Sequence, residues 1–398
     1  MKTVCVLGLG YIGLPTALLL VQRNFKVIGV DINQKVVSDL KKGKLNIKEP
    51  DLEKSLKIAL KSGNFEIQTE AGFADVFIIA VPTPFKNSNL KFKEANIDYV
   101  LDAANELSKY YKSKDLVILE STSPVGTTEK IFNLLKEKTI INKNEIYISY
   151  CPERVIPGNV FFELINNDRI IGSNSEKANI KAKAFYKSFC KGEIHLTTSR
   201  NAELVKLTEN SFRDVNIAFA NELSMICKDL DLDVKEIIQL ANCHPRVQIL
   251  NPGCGVGGHC IAVDPWFIIS TLPNTTLLLQ TARNVNLTKA NWTLNIIKQE
   301  IQNIKIKINK DPVVGILGIT YKPNTDDLRE SPALNICREL ISQKYNVIVC
   351  DPYVENLDDM KINSINEIIF KSHLLVKLVN HDQFELIDFG GKSLLDFS

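Results

Sequence analysis

The sequence predicts an α/β protein with a parallel-sheet unit at each end and a bank of helices between them, and three observations carry this. Apolar strand-like runs alternate with helical stretches along the N-terminal part. Residues 199 to 238 then contain neither Gly nor Pro. From Pro312 onward a strand, a helix and a second strand ending in an acid repeat the opening pattern in weaker form. The expected divisions are residues 1–195, 196–305 and 306–398.

Thr3–Leu7 is a short apolar run suited to a strand buried on both faces of a parallel sheet. It feeds into Gly8-Leu-Gly10-Tyr11-Ile12-Gly13, and a helical run follows over Thr16–Gln22. Lys26–Val30 reads as a second strand and ends in Asp31, 18 residues after Gly13. The glycines permit a tight turn, close approach of backbone to a pyrophosphate, and close helix–strand packing. Asp31 is placed to bind a ribose 2′-hydroxyl and to repel a 2′-phosphate, so the expected cofactor is NAD. With every part in order, an N-terminal Rossmann domain is expected, with Gly8, Gly10, Tyr11, Ile12, Gly13 and Asp31 at the dinucleotide.

Ala74–Val81, Leu116–Leu119 and Glu145–Ser149 continue the strands, and a helix is expected from about Thr127. In open sheets of this kind ligands lie beyond the carboxyl ends of the strands. That brings in Thr83 of Pro82-Thr83-Pro84, Thr122 of Glu120–Gly126, and Glu153 with Arg154 after Cys151-Pro152. Ordinary turn chemistry is the alternative account of the same residues.

In the helical middle, Lys206, Asn210, Arg213 and Ile217 fall on one side of a helix, and Leu204, Leu207, Val215 and Ala218 on a sector expected to pack. Lys206 and Asn210, four apart, offer an ammonium and an amide on one face, unless that stripe is simply solvated. Arg213 with Asp214, and Glu222 with Asp229, read as surface or subunit contacts. A second uninterrupted helical run spans residues 277 to 304.

Between these runs lies Asn251–Pro265, where four glycines and two prolines in fifteen residues exclude a regular helix or strand. Cys260 stands near its end, with Asp264 four residues on. A thiol on a backbone that can face a developing oxyanion points to covalent catalysis, against the alternative of a tight turn with a buried cysteine. Zinc held by Cys243, His244, Cys254, His259 and Cys260 is disfavoured, because these residues lack the Cys-x-x-Cys spacing of a structural site.

At the C-terminal end, Pro312–Leu317, Ala333–Gln343 and Tyr345–Cys350 with Asp351 mirror Val4–Asp31. The intervening Gly318–Ser331 lacks the Gly-x-Gly-x-x-Gly spacing, so this Rossmann-like unit is expected to bind something other than the dinucleotide. Leu374–Val379 and Ser393–Phe397 would complete its sheet.

With 45% hydrophobic residues, 24% charged residues and a net charge of +2, nothing points to nucleic acid or a membrane as the main partner. Nine cysteines scattered over so long a chain read as reduced thiols in a cytoplasm. The apolar run after Lys2 is broken by Gly8, Gly10, Gly13 and Pro15, unlike a signal peptide. No stretch reaches the ~18 apolar residues of a membrane helix.

Taken together, GLGYIGLP, VPTP, ESTSPVGTTEK, YCPER, KLTENSFRDVNIAFANELS, HPRV, GVGGHCIAVDPWF and YKPNTDDLRES resemble the UDP-sugar 6-dehydrogenase family, in that family's order and over nearly the whole chain. VPTPFK, TENSFRDVNIAFANELS and GVGGHCIAVDPWF are most similar to members acting on UDP-N-acetyl-D-mannosamine. The resemblance implies an NAD domain, a central helical dimerisation domain and a C-terminal UDP-binding domain. It implies two successive NAD-linked oxidations at C6 of a UDP-sugar, through a thiohemiacetal and a thioester on Cys260. UDP-N-acetylglucosamine and UDP-glucose are the rival substrates; a one-step dehydrogenase and a non-catalytic nucleotide-sugar sensor are the rival functions. By the same resemblance Lys206 handles the C6 proton and the oxyanion with Asn210, while Thr122, Glu153 and Asp264 position and activate water. Arg154, Val155, Lys206, Asn210, Arg213, His244, Arg246, Gly257, Tyr321 and Lys322 match substrate positions, and Arg329 a cofactor contact. The His244–Val247 segment would reach the partner's site in a homodimer. A basic residue that the family carries after the strand over Leu394–Phe397 has no counterpart before Ser398, so that contact is expected to be missing or supplied otherwise.

Overall fold

The apolar runs build two separate sheets, one in each of two compact units, Met1–Leu207 and Thr208–Ser398. The computed structural model describes residues 2–398 apart from 46, 48, 87–91, 157 and 259.

The first sheet comprises β1 (Thr3–Leu7), β2 (Lys26–Val30), β3 (Phe65–Gln68), β4 (Val76–Ile79), β5 (Leu116–Leu119), β6 (Tyr147–Tyr150), β7 (Arg169–Ser173) and β8 (Ile194–Thr198). Its strand order is β3-β2-β1-β4-β5-β6-β7-β8, parallel except for the β6–β7 pair. The residues of β4 and β5 are all buried, as a strand covered on both faces requires. Helices α1 (Gly13–Gln22), α2 (Gln34–Lys41), α3 (Leu52–Ser62), α4 (Asp98–Ser108), α5 (Thr127–Lys138), α6 (Val160–Asn166) and α7 (Glu176–Lys187) provide the cover.

Helix α8 (Ser199–Asp229) opens the helical region, followed by α9 (Val234–Ala241), α10 (Asp264–Thr271) and α11 (Leu277–Ile308). The uninterrupted run expected to Ile238 ends nine residues earlier, where Asp231 takes a left-handed φ of 55° and Asp233 caps α9 through Lys235 N. The second sheet is fully parallel in the order β10-β9-β11-β12, from β9 (Val313–Leu317), β10 (Asn346–Cys350), β11 (Leu374–Lys377) and β12 (Ser393–Asp396). Helices α12 (Pro332–Ser342), α13 (Ile365–Lys371) and α14 (Asp382–Glu385) accompany it.

The packed face of α8 differs from the expected one. Leu204 is 45% exposed, while Leu207 and Ala218 are buried beside Glu203, Lys206, Asn210, Asp214 and Asn221. Asp214 is no surface contact: Arg283 holds it at 2.6 Å and Asn286 at 2.8 Å. Asn221 donates to Asn286 Oδ1 at 2.9 Å and accepts from Gly253 N at 2.9 Å. A polar seam between α8 and α11 thereby grips the start of the glycine loop. Most of its polar atoms engage one another, while Asp214 Oδ2 and Arg283 Nε are buried with no hydrogen-bond partner. Arg213 is exposed, as expected.

Candidate active site

The turn after β1 is built by steric need. Gly8 has φ +95°, and a Cβ there would lie 2.6 Å from Ala80 O; a Cβ on Gly13 would lie 1.9 Å from Gly8 O. Only glycine serves at either position. Gly10 differs, for it is exposed and a Cβ there would meet nothing within 4 Å. That open space, before an α1 N-terminus with no side-chain cap, is what a pyrophosphate needs in order to approach backbone N–H groups. Tyr11 and Ile12 are half-buried in the same turn. Half-buried Asp31 accepts from Leu9 N at 3.1 Å and Asn33 N at 2.9 Å, which fixes its carboxylate at the β2 end. The residues present therefore fit NAD.

Thr83 and Thr122 meet at the neighbouring strand ends, where Thr83 Oγ1 donates to Thr122 O at 2.7 Å. Glu203 was not singled out from the sequence, yet it accepts from Gly126 N, Thr128 N and Thr128 Oγ1 at 2.6–2.7 Å and caps the N-terminus of α5. This ties the Thr122 loop to the foot of α8, one turn before buried Lys206.

Glu153 is buried with both oxygens engaged. Oε1 accepts from Arg154 N at 2.7 Å and Oε2 from Arg169 Nη1 at 3.1 Å. Arg169 also donates to Leu164 O, and its guanidinium stacks 4.8 Å from the Tyr186 ring, whose hydroxyl donates to Glu120 at 2.7 Å. Burial, and then the charge of Glu153, push the Glu120 carboxyl up to about 7. Arg169 escaped the sequence reading because β7 mixes polar ends with Gly172 and shows no apolar run. Arg154 donates to Asp168 O at 3.3 Å, and Val155 packs against the first unit's core.

In the second unit, half-buried Cys260 closes the turn into α10, its carbonyl accepting from Val263 N at 3.0 Å and Asp264 N at 2.8 Å. Buried Asp264, in the first turn of α10, accepts from Asn210 Nδ2 at 2.5 Å. A Cβ on Gly257 would lie 2.5 Å from Glu330 O, and one on Gly258, at φ +81°, 2.7 Å from the Tyr321 ring. Gly258 N donates to Arg329 O at 3.0 Å. The glycines thus let residues 321–330 lie against the Cys260 loop. Burial, and then Asp327, push the Tyr321 hydroxyl up to about 12. Lys322 Nζ stands 5.7 Å from the Tyr321 ring centroid. Arg329 is exposed and forked onto Asp327, at 2.9 and 2.6 Å. His244 and Arg246 are also exposed, next to each other on the surface. His259, a member of the zinc alternative, lies outside the described residues. Cys254 is buried in the hydrophobic core, where desolvation pushes its thiol up to about 12.

The NAD binding domain model of the UDP-glucose/GDP-mannose dehydrogenase family matches residues 2–190, its central domain model 200–288, and its UDP binding domain model 315–394. By class the protein is an NAD-dependent dehydrogenase. A UDP-N-acetyl-D-mannosamine dehydrogenase of Campylobacter jejuni is 47% identical over 397 residues, 96% of each chain. An NDP-N-acetyl-D-galactosaminuronic acid dehydrogenase of Ralstonia solanacearum is 43% identical, over 97% of this chain and 92% of its own. The solved UDP-D-ManNAc dehydrogenase of Pyrococcus horikoshii superposes with a TM-score of 0.90 at 36% identity, covering 99% of this chain and 95% of that one. The chain belongs to the UDP-glucose/GDP-mannose dehydrogenase family.

Proposed function

We propose that the protein oxidises C6 of UDP-N-acetyl-D-mannosamine to the uronate, in a four-electron reaction through Cys260. The observation that carries the reading is the Cys260 turn itself: a half-buried thiol on a glycine-shaped loop, followed by Asp264 anchored to Asn210. The names of the relatives at 45–47% identity support the sugar.

NAD, held at Gly8–Gly13 and Asp31 with Thr83, Thr122 and Arg329, supplies the hydride acceptor, two equivalents per sugar. Lys206 takes the C6 hydroxyl proton and, with Asn210, stabilises charge on the C6 oxygen. Cys260 thiolate adds to the C6 aldehyde, a C–S bond forming as the C=O π bond opens to an oxyanion, and the thiohemiacetal so made becomes a thioester when its C6 hydride is lost in the second oxidation. The resulting thioester is cleaved by water, which Asp264, Glu153 and Thr122 orient; the C–S bond breaks, and carboxylate and thiol are released. Arg154, Val155, Arg213, Gly257, Tyr321 and Lys322 bind the UDP-sugar.

The three-domain division at residues 1–195, 196–305 and 306–398 belongs to the same reading. We place the enzyme in the cytoplasm, a setting that suits nine cysteines scattered over so long a chain; among the described residues no helix is long and apolar enough to cross a membrane. The functional form in this reading is a homodimer through the central helices. Phe212, Phe219 and Ile226 recur every seven residues on α8 and are 68%, 55% and 48% exposed, a stripe suited to a second copy. His244 and Arg246 would serve the partner's site.

The test is NADH yield with Cys260→Ala and Cys254→Ala over a panel of UDP-sugars that includes the N-acetylmannosamine, N-acetylglucosamine, N-acetylgalactosamine and glucose forms. Wild type should give two NADH per sugar and little free aldehyde. Cys260→Ala should form no uronate, and Cys254→Ala should stay within about threefold of wild type. Full four-electron turnover by Cys260→Ala would remove the covalent step. UDP-glucose as the best substrate would overturn the choice of sugar and leave the mechanism standing.

A further inference from the structure

His381, just past the end of β11, centres a side-chain cluster that the proposed mechanism leaves unused. Its side chain has no exposure, and it is packed 5.0 Å from the Tyr353 ring and 5.4 Å from Phe384. Three polar groups meet it. Asn324 N lies 3.0 Å from Nδ1, while Asp351 Oδ2 lies 3.1 Å and Thr320 Oγ1 3.3 Å from Nε2. Lys322 O in turn accepts from Thr320 Oγ1 at 3.0 Å.

These partners determine the tautomer. A backbone N–H can only donate, so Nδ1 accepts from Asn324 and carries no proton. The proton sits on Nε2, shared between the Asp351 carboxylate and a Thr320 hydroxyl that spends its own hydrogen on Lys322 O. An imidazolium, or the Nδ1–H tautomer, would set two N–H groups face to face in a sealed space. Asn324 is itself bent into a left-handed conformation, φ +57°, and its Oδ1 accepts from Asp382 N at 3.1 Å. One ring therefore joins the end of β10, the segment 320–324 and the start of α14.

We propose that His381 is a positioning residue for nucleotide recognition: as the Nε2–H tautomer it locks residues 320–324, which carry Tyr321 and Lys322, in the form that binds the uridine diphosphate part of the substrate. This rests on the reading of Tyr321 and Lys322 as substrate contacts. The ring touches no substrate in this proposal; it acts by removing the freedom of a loop that has neither helix nor strand of its own.

Two variants divide the ring's functions. His381→Asn places an amide oxygen near the Nδ1 position and keeps the acceptor for Asn324 N. His381→Gln places an amide nitrogen near the Nε2 position and keeps the donor to Asp351 while losing that acceptor. Calorimetric titration of UDP into full-length protein should give His381→Asn within about threefold of wild type and His381→Gln about tenfold weaker, with NAD affinity the same in all three. Hydrogen exchange in residues 319–326 should quicken in His381→Gln only. UDP binding by His381→Gln equal to wild type, or equal losses in the two variants, would overturn the proposal. Should either variant fail to fold, 15N-histidine NMR of the wild type decides: an Nε2–H signature for His381 supports it, and an Nδ1–H or doubly protonated ring overturns it. Wild type that binds no UDP would sink the nucleotide reading of this unit, and the exchange and tautomer measurements would still judge the clamp.

Discussion

The turns at Gly8 and Gly318 are one construction used twice. Gly8 follows β1 at φ +95° and donates to Val30 O at 2.8 Å; Gly318 follows β9 at φ +82° and donates to Cys350 O at 2.9 Å. A Cβ would strike the next strand's end in both, Ala80 O at 2.6 Å and the Val379 side chain at 2.6 Å. Asp31 accepts from Leu9 N and Asn33 N, and Asp351 from Ile319 N and Tyr353 N, at 2.8–3.1 Å. The third strand makes the difference. Past β4 the chain leaves Asp31 half open, whereas past β11 it brings His381 onto Asp351 and buries it. The open acid can still serve a ribose, and the sealed one holds its own loop. The same backbone turn thus keeps a half-open acid in one unit and a buried, fully bonded one in the other.

The largest separation should appear in stability. Asp351→Ala strands three backbone N–H groups, of Ile319, Thr320 and Tyr353, and His381 Nε2 in a buried place, and should cost about 3–5 kcal/mol, a Tm fall near 10 °C. Asp31→Ala, at a half-open site, should cost about 1 kcal/mol or less. Thermal denaturation of both variants checks this, and equal losses would break the comparison. Next in size is cofactor choice. Wild type should prefer NAD to NADP, and Asp31→Ala should weaken NAD about 10- to 100-fold and narrow the gap, as kcat/KM for each cofactor will show. An NADP preference in the wild type would contradict the open-acid reading.

Buried acids also give the two units opposite responses to pH. Burial alone would raise the Asp351 carboxyl, but hydrogen bonds from His381, Ile319 N and Tyr353 N hold it below its ordinary 3.8. Its stabilising contribution is therefore present above 3.8 and lost as pH falls through the lower folded value. Glu120 is raised from 4.5 to about 7, so its contribution is full below 4.5 and lost as pH rises through about 7. Glu120→Gln removes that loss, and keeps an acceptor for Tyr186. Its stability advantage over wild type should grow between about pH 4.5 and pH 7, by on the order of 1–3 kcal/mol. A constant difference across that range would show that Glu120 does not titrate there.

The sequence disclosed what short-range sterics and periodicity encode. Gly8-x-Gly10-x-x-Gly13 with Asp31 was readable because each residue answers a local demand, and the strand ending in Asp351 was readable by its likeness to the first. Lys206 and Asn210 were legible as a pair by helical spacing, although that spacing could not say whether they faced solvent. What stayed hidden depends on partners far along the chain. Asp214 looked like a surface acid until Arg283, 69 residues away, was found upon it. His381 is 57 residues from the Asn324 amide it receives, and Arg169 lies in a strand with no apolar signature. A regular clue to the polar seam was present, however, in Arg283, Asn286 and Lys289, spaced by three along one face of α11.

The finest test of the comparison concerns the second position after each positive-φ glycine. At this place the first unit has Gly10, exposed and with no atom within 4 Å of a built Cβ, and the second has Thr320, fully buried and bonded to Lys322 O and His381. If the emptiness at Gly10 is there for the cofactor, a methyl group should be invisible to the fold and visible to the ligand. Gly10 carries no positive φ, so alanine adopts its backbone without strain. By restricting the unfolded chain it should even stabilise, by about 0.4–1 kcal/mol. The same methyl would stand where a pyrophosphate oxygen must come against backbone N–H groups, and NAD affinity should drop by about tenfold. UDP affinity should not change, because the second unit has no share in this turn. Thermal denaturation with separate NAD and UDP titrations of Gly10→Ala reads all three quantities. An unchanged NAD affinity would mean that the dinucleotide does not approach the first turn at Gly10, and the open side of the comparison would have to be sought at Asp31 alone.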